Sequence, residues 1–349
     1  MLFLTNALFA HVLVLAVPAG FAAMGGSPEI VPVAVTTVVC SGFLNAFYFQ
    51  LMGKVCETTQ AETYREAWER TVGVESSPWV NAIVTAKTAL SCLAFSIIIA
   101  DNGQALAQAA GLVDITRAET LLGVTVMVLL PLTLQRDLSS LAPFSFVGVL
   151  GVLITTATIV IRYQDGSYLM ETGTFAQDLP AQLQPHFIDS TSVAATSASD
   201  AITNSATVGV WGSWSGVVLS CTLATAYVAH YNSVRFFNEL QNTSVERFQK
   251  VTYASYTVAA ILFVIVGCCG FLTFGQASQG YILNNYSPMD PLATFCKAAL
   301  TGSILCTYPL PFVGLRDGCW DLLKVSNRDQ VHGVTTVVLL SIITVGALL

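Results

Sequence analysis

Long uncharged apolar runs alternate with short charged connectors along almost the whole chain, and this pattern constrains the fold more than any single motif. Only 10% of the 349 residues are charged, whereas a soluble domain usually carries about 25%. Lipid is the natural solvent for such a chain, and helices satisfy their own backbone hydrogen bonds there. The pattern therefore predicts an all-α, polytopic membrane protein.

Apolar runs long enough to cross a bilayer recur along the chain. One crossing needs about 20 apolar residues in a helix. The predicted spans are residues 2–24, 30–53, 80–106, 118–135, 139–162, 213–236, 250–274, 289–313 and 332–349. They occupy more than half of the sequence, so we expect a single transmembrane domain over residues 1–349 and no large soluble domain.

The basic residues predict the orientation of these spans, because cytosolic loops carry an excess of Lys and Arg. With a cytosolic N-terminus, ten of the 14 basic residues fall on the inner side, while only Arg117 and Arg162 fall in outer connectors. The ten are Lys54, Arg65, Arg70, Arg136, Arg235, Arg247, Lys250, Arg316, Lys324 and Arg328. The net charge of -7 then lies largely on outer loops, which argues against a nucleic-acid partner.

Two connectors have a character of their own. Residues 58–73 predict a cytosolic amphipathic helix, since Tyr64, Trp68 and Val72 recur every four residues opposite charged side chains. Residues 163–212 are rich in Ser, Thr and Ala at their centre and show no periodicity. This composition predicts a flexible outer loop.

Nothing in the sequence indicates catalysis. It contains no Gly-rich phosphate loop, no His-Glu-x-x-His motif and no credible pairing of a nucleophile with a base. Of the nine cysteines, seven lie in predicted spans and two at cytosolic ends, which predicts buried thiols without a disulfide framework. We therefore expect no enzyme and no cofactor.

Five segments give the chain a resemblance to a known family. The most specific is ATAYVAHYNSVRFFNEL (224–240), in which Glu239 and Leu240 follow His230 at a spacing of nine. The others, in chain order, are CLAFSIIIAD (92–101), LQRDLSSLAPFS (134–145), GFLTFG (270–275) and TYPLPFVGLRDG (307–318). Together they resemble the amino acid/auxin permease family, and particularly its sodium-coupled neutral amino acid transporter branch.

The resemblance implies a LeuT-type fold, in which five helices and their inverted copy form the transporter. The first and sixth helices of that fold break at mid-membrane, and the freed backbone groups hold the substrate and a cation. The expected breaks are Pro18-Ala19-Gly20 in the first span and the region after Thr225 in the sixth. Such a core has ten helices, so nine spans predict a truncated chain with an incomplete second repeat.

The same resemblance implies a set of substrate-binding residues. They are His11, Pro18, Gly20, Thr225, Tyr227 and His230. An ionisable group inside a membrane is a functional candidate, but a packed, hydrogen-bonded imidazole would equally explain His11 or His230. Ala10-His11-Val12-Leu13-Val14 departs from the small residues that the family usually has before the proline, and bulky side chains there would crowd a substrate carboxylate.

Asn6 and Thr307 resemble the family's sodium-site pair, contributed by the first and eighth helices. An amide carbonyl and a hydroxyl suit a hard cation. The alternatives are an amide that packs between helices and a hydroxyl that bonds back to the preceding turn. Sodium is the only metal that the sequence suggests.

These observations favour a secondary active transporter of amino acids, with neutral substrates, that works by alternating access on a sodium or proton gradient. Its partners would be an amino acid, a coupling cation and the lipid of a plasma, lysosomal or vacuolar membrane. Two alternatives stay open. One is an amino-acid-sensing receptor of the same fold, and the other is an inactive fragment of a transporter.

Overall fold

The computed structural model describes residues 12–112, 114–135, 142–187 and 214–349. Within these ranges, seven helical segments are long and apolar enough to cross a membrane. They lie at Pro28–Thr59, Ser77–Ala109, Arg117–Leu134, Val147–Gln164, Val245–Phe274, Pro291–Leu322 and Arg328–Leu348. Shorter apolar helices occupy the places of the first and sixth predicted spans. The prediction of a helical, polytopic membrane protein is confirmed.

Twelve helices are described. In chain order they are α1 (Val17–Met24), α2 (Val31–Thr59), α3 (Tyr64–Thr71), α4 (Ser77–Ala109), α5 (Arg117–Leu134), α6 (Ala142–Gln164), α7 (Trp214–Ala226), α8 (Ser233–Asn238), α9 (Val245–Phe274), α10 (Pro291–Thr307), α11 (Pro309–Leu322) and α12 (Arg328–Leu348). The described residues contain no β-strand, and His186 and Gly275 form an isolated bridge.

Side-chain caps begin several of these helices, because the first N–H groups of a helix have no partner within it. Thr116 and Glu119 form a reciprocal capping box at the start of α5. Asp290 caps α10 by accepting from the N–H groups of Leu292 at 2.9 Å and Ala293 at 3.2 Å. These polar residues lie between a connector and an apolar run, and they fix the residue at which each helix begins.

Helix α5 widens into a π-helical turn at Thr125–Leu129. Pro131 follows directly and has no N–H to donate to the residue four positions earlier. A π turn is a common way for a helix to accommodate such a break in its hydrogen-bond ladder. The π-helical turn of α5 therefore has a local cause in the sequence.

Helix α9 lies at the centre of the bundle and packs against α1, α2 and α6. Glycines allow its closest approaches. A Cβ on Gly270 would lie 2.6 Å from Pro18 Cγ on α1, and one on Gly267 would lie 2.9 Å from Phe21 Cζ. Small residues let membrane helices approach closely and gain van der Waals contact. The short helix α1 is thereby held against the core.

The described part of the long connector after α6, residues 165–187, packs on the bundle. Its Tyr168 is buried and its ring centroid lies 5.3 Å from that of Phe274 and 5.1 Å from that of Tyr286. The isolated backbone bridge at His186 also ties this segment to the end of α9. Residues 188–213, which include the Ser/Thr/Ala-rich centre, lie outside the described residues, so the predicted flexibility there stays a prediction.

The amphipathic helix expected over residues 58–73 is shorter in the structure. Residues 58 and 59 complete α2, and α3 begins only at Tyr64, because the hydroxyl of Thr63 caps it through the N–H of Glu66. Trp68 is half-buried and its indole N–H donates to the hydroxyl of Ser76 at 2.8 Å. Val72 follows the helix and is exposed, so the expected apolar stripe ends at Trp68.

Candidate functional site

The sixth predicted span is interrupted in its middle. Helix α7 ends at Ala226, the backbone of residues 227–229 is not helical, and a 3₁₀ turn at His230–Asn232 leads into α8. Non-helical backbone at membrane depth occurs only where it is buried in protein or lines a cavity. The expected break after Thr225 is therefore present in the structure.

Tyr227 anchors this interruption. Its side chain is fully buried and its hydroxyl donates to the carbonyl oxygen of Val38 at 3.2 Å. Its own carbonyl oxygen accepts from the hydroxyl of Tyr256 at 3.1 Å. The ring of Phe263 packs against that of Tyr227 at a centroid distance of 4.7 Å. The hydrogen bond from α9 satisfies a carbonyl of the broken helix, and the bond to α2 fixes the Tyr227 side chain.

His230 lies at the start of the 3₁₀ turn. Its Nε2 is 3.2 Å from the carbonyl oxygen of Asn45 on α2, and its ring packs edge-on against Phe49 at 5.5 Å. This contact fits the alternative of a packed, hydrogen-bonded imidazole. Thr225, on the last turn of α7, is exposed and its hydroxyl donates to the carbonyl of Cys221 at 2.8 Å.

The described part of the first span shows no break at Pro18-Ala19-Gly20. Pro18, Ala19 and Gly20 are helical and lie in the first turns of α1, where proline is tolerated because the N–H groups there lack partners anyway. A 3₁₀ segment, Val12–Ala16, precedes them. The irregular backbone thus lies before Pro18 rather than over it.

Pro18 and Gly20 are both buried at helix contacts. Pro18 faces Gly270, and a Cβ on Gly20 would lie 2.7 Å from Leu219 Cδ1 on α7. The structure thus brings the first and sixth spans together at this glycine. Asn6 and His11 lie outside the described residues, so their proposed roles stay predictions.

Thr307 is the last residue of α10, close to the junction with α11. It is buried and its hydroxyl donates to the carbonyl of Ser303 at 2.8 Å, as expected for a hydroxyl that bonds back to the preceding turn. This bond uses its proton and leaves the oxygen lone pairs to accept or to ligate a cation. The hydroxyl of the adjacent Tyr308 lies 3.1 Å from Ser96 Oγ on α4.

Two polar residues near these segments, Tyr256 and Lys87, are not among the site residues predicted from the sequence. Tyr256, which supports the break, has no distinguishing neighbours in sequence. The ammonium of Lys87 on α4 lies 4.2 Å from the centroid of the Tyr231 ring, inside the interruption. A lysine within an apolar run was a visible signal for a functional group, but only the packing of α4 shows which segment it faces.

A polytopic helical membrane protein with an interrupted sixth span is the class that these features define. Within the described residues, a 3₁₀ segment precedes α1, and a break in helical structure follows α7 in the same bundle. Helix α1 of the first span packs against both α7 of the sixth span and α9.

The chain belongs to the family described as transmembrane amino acid transporter protein, whose model matches residues 1–349. The family resemblance predicted from the sequence is thus confirmed. Members of this family are transporters rather than enzymes.

Individual relatives are similar to the chain at low identity. A Bos taurus protein provisionally named sodium-coupled neutral amino acid transporter 11 is 22% identical over 325 residues, covering 91% of this chain and 63% of its own. Sodium-coupled neutral amino acid transporter 7 of Homo sapiens is 24% identical over 87% of this chain and 60% of its own. Vacuolar amino acid transporter 2 of Saccharomyces cerevisiae is 25% identical over 58% of this chain and 36% of its own. The chain therefore spans less than two thirds of the length of these curated relatives.

Proposed function

We propose that the protein is a secondary active transporter of neutral amino acids that works by alternating access. The observation that carries this proposal is the interruption of the sixth span at residues 227–232, within the bundle of a transmembrane amino acid transporter family member. An unwound helix offers N–H groups to a substrate carboxylate and carbonyls to a cation. The names of two relatives, both sodium-coupled neutral amino acid transporters, support the substrate class.

The architecture that we propose is the LeuT-type inverted repeat, with substrate held between the first and sixth helices. The contact between Gly20 and Leu219 supports this, because it brings those two spans together beside the break. Thr225, Tyr227 and His230 would bind or border the substrate from the sixth span, and Pro18 and Gly20 from the first. Tyr227 would act by shaping the break, since its hydroxyl is already engaged by Val38.

The coupling ion of the proposal is sodium, held between the first and eighth helices. Thr307 fits this role because its oxygen is buried and keeps lone pairs after its bond to Ser303. Asn6 would supply an amide oxygen from the other side. Coupling to protons is the alternative. The relatives do not assign one membrane to the protein, since one of them is named as a vacuolar transporter.

The experiment that tests the proposal is uptake of a labelled panel of neutral L-amino acids into proteoliposomes. The protein used would be the longest natural polypeptide that contains this chain. Sodium and proton gradients would be imposed in separate experiments. Gradient-driven accumulation supports the transporter, and the gradient that drives it identifies the ion. Saturable amino acid binding without accumulation under either gradient would contradict transport and favour the sensing receptor. Absence of both would contradict an amino acid site altogether.

A further inference from the structure

Lys87 carries a buried ammonium that has no hydrogen-bonding partner among the described residues. It lies on α4, within a predicted membrane span, and its Nζ is fully buried. No hydrogen bond joins this ammonium to any described residue, and no described acidic side chain forms an ion pair with it. Its ammonium makes a cation–π contact with the ring of Tyr231, at 4.2 Å from Nζ to the ring centroid.

The place of this ammonium in the fold connects it to the interruption of the sixth span. Tyr231 belongs to the 3₁₀ turn between α7 and α8. On the other side, α4 packs along α11, where a Cβ on Gly314 would lie 3.3 Å from Thr88, the neighbour of Lys87. Further along α4, Ser96 meets Tyr308 beside Thr307. Helix α4 therefore contacts both the sixth-span break, through Lys87, and the helices of the eighth span.

An isolated ammonium in such surroundings calls for an anion. A charge removed from water is costly unless it is paired, and a cation–π contact compensates only a small part of that cost. Positive charge also repels sodium, so this group does not serve as a cation ligand. The anion that an amino acid transporter handles in every cycle is the substrate carboxylate.

We propose that the ammonium of Lys87 binds the carboxylate of the amino acid as it occupies the interrupted sixth span. This inference rests on the proposed function and deepens it by assigning the residue that recognises the acid group. It also accounts for the difference between the first span and the family pattern. In the sequence, His11, Val12, Leu13 and Val14 occupy the region where the family has small residues near the substrate carboxylate. A lysine that supplies a direct charge makes recognition less dependent on backbone N–H groups.

The test compares amino acids with their carboxyl amides, which keep the side chain and the amine but lose the negative charge. Binding of L-alanine, L-leucine and L-glutamine, and of the three corresponding amides, would be measured by calorimetry on the purified protein. In the unmodified protein we expect the acids to bind and the amides to bind much more weakly. Lys87→Gln should weaken acid binding by roughly 10- to 100-fold and leave the amides unchanged, so the discrimination disappears.

Three further variants make the result specific. Lys87→Arg keeps the charge and should retain most of the discrimination between acid and amide. Lys87→Met removes a buried charge that has no partner, so it should fold at least as stably as the unmodified protein while losing discrimination. Lys297→Gln removes a different intramembrane lysine, on α10. It should change neither the affinity for the acids nor the affinity for the amides.

Two results would overturn the inference. Acid binding by Lys87→Gln equal to that of the unmodified protein would exclude recognition through this charge. Equal weakening of acids and amides would show that the lysine only shapes the bundle. Failure of the proposed function looks different, because the unmodified protein would then bind none of the amino acids, or bind them without uptake in the proteoliposome assay. In the latter case the comparison of acid with amide still decides the role of Lys87.

Discussion

The hydroxyl of Tyr256 donates to the backbone carbonyl oxygen of Tyr227 at 3.1 Å, where the sixth span loses its helical backbone. Both side chains are buried, and their rings stack at a centroid distance of 6.1 Å. A carbonyl that no longer accepts from its own helix would otherwise remain unsatisfied in a medium without water. The break that follows α7 is therefore maintained by a side chain of α9.

Tyr256→Phe removes this donor and keeps the ring. We expect the free energy of unfolding to fall by about 1–3 kcal/mol, because the Tyr227 carbonyl is left buried without its partner. Thermal unfolding in detergent would measure the change. Tyr253→Phe is the matched control, since the Tyr253 hydroxyl forms no hydrogen bond within the described ranges, and it should be nearly neutral. Equal stability of the two variants would contradict this account of the break.

Asp290 joins the outer connector to the start of α10. Its fully buried carboxylate accepts from the Arg162 guanidinium at 2.6 and 2.8 Å and from the Tyr168 hydroxyl at 3.0 Å. Asp290→Asn should lower the free energy of unfolding by about 3 kcal/mol, because it leaves the largely buried Arg162 without its main counter-charge. Chemical or thermal unfolding in detergent micelles would report the loss.

Asp165→Asn provides the control for that prediction. Asp165 also pairs with Arg162, at 2.7 Å, but its side chain is 33% exposed, and such a pair contributes about 0–1 kcal/mol. If the two aspartate variants were equally stable, the buried pair would not be the structural tie inferred here.

Gly270→Ala tests the close packing of α1 on α9. The new Cβ would lie 2.6 Å from the rigid ring of Pro18, so the helices must separate, and we expect a loss of about 1–3 kcal/mol. Gly302→Ala meets nothing within 4 Å and should stabilise α10 by about 0.5–1 kcal/mol, since alanine favours the helix over glycine. Melting temperatures of the two proteins should therefore move in opposite directions.

Thr307→Val tests the proposed sodium site with little change of shape. Loss of the oxygen ligand should raise the sodium concentration for half-maximal uptake by roughly tenfold, whereas Thr307→Ser, which keeps the oxygen, should stay close to the unmodified protein. Sodium titrations of uptake into proteoliposomes would show the difference. Proton-driven uptake that is indifferent to Thr307 would keep the transporter but exclude this site.

Local patterns in the sequence predict much of the secondary structure. The apolar runs predict the membrane helices because the cost of placing a helix in lipid depends on the composition of that segment alone. The break after Thr225 is expected from the family resemblance of its segment, whereas the caps at Thr63 and Thr116 come from the structure. The extent of α3 was overestimated because periodicity continued past its caps.

The candidate site could be predicted only in part from the sequence. His230 and Tyr227 were found by motif, but the partner that supports Tyr227 comes from α9. Pro18 was expected to break the first span, yet it lies in the first turn of α1, where its missing N–H has no cost. Whether a proline ends or begins a helix depends on the backbone before it, which packing decides.

The sequence by itself determined that this chain is a helical membrane protein, how its apolar helices alternate with connectors, and its family. These properties follow from composition and local periodicity, which act within one segment. Only the tertiary structure decided that Tyr256 supports the break, that Asp290 pairs with Arg162, and that Lys87 faces Tyr231 with no ion pair among the described residues. Each of these depends on side chains from different helices meeting in a low-dielectric interior, where the energy of a polar group is decided by its partner.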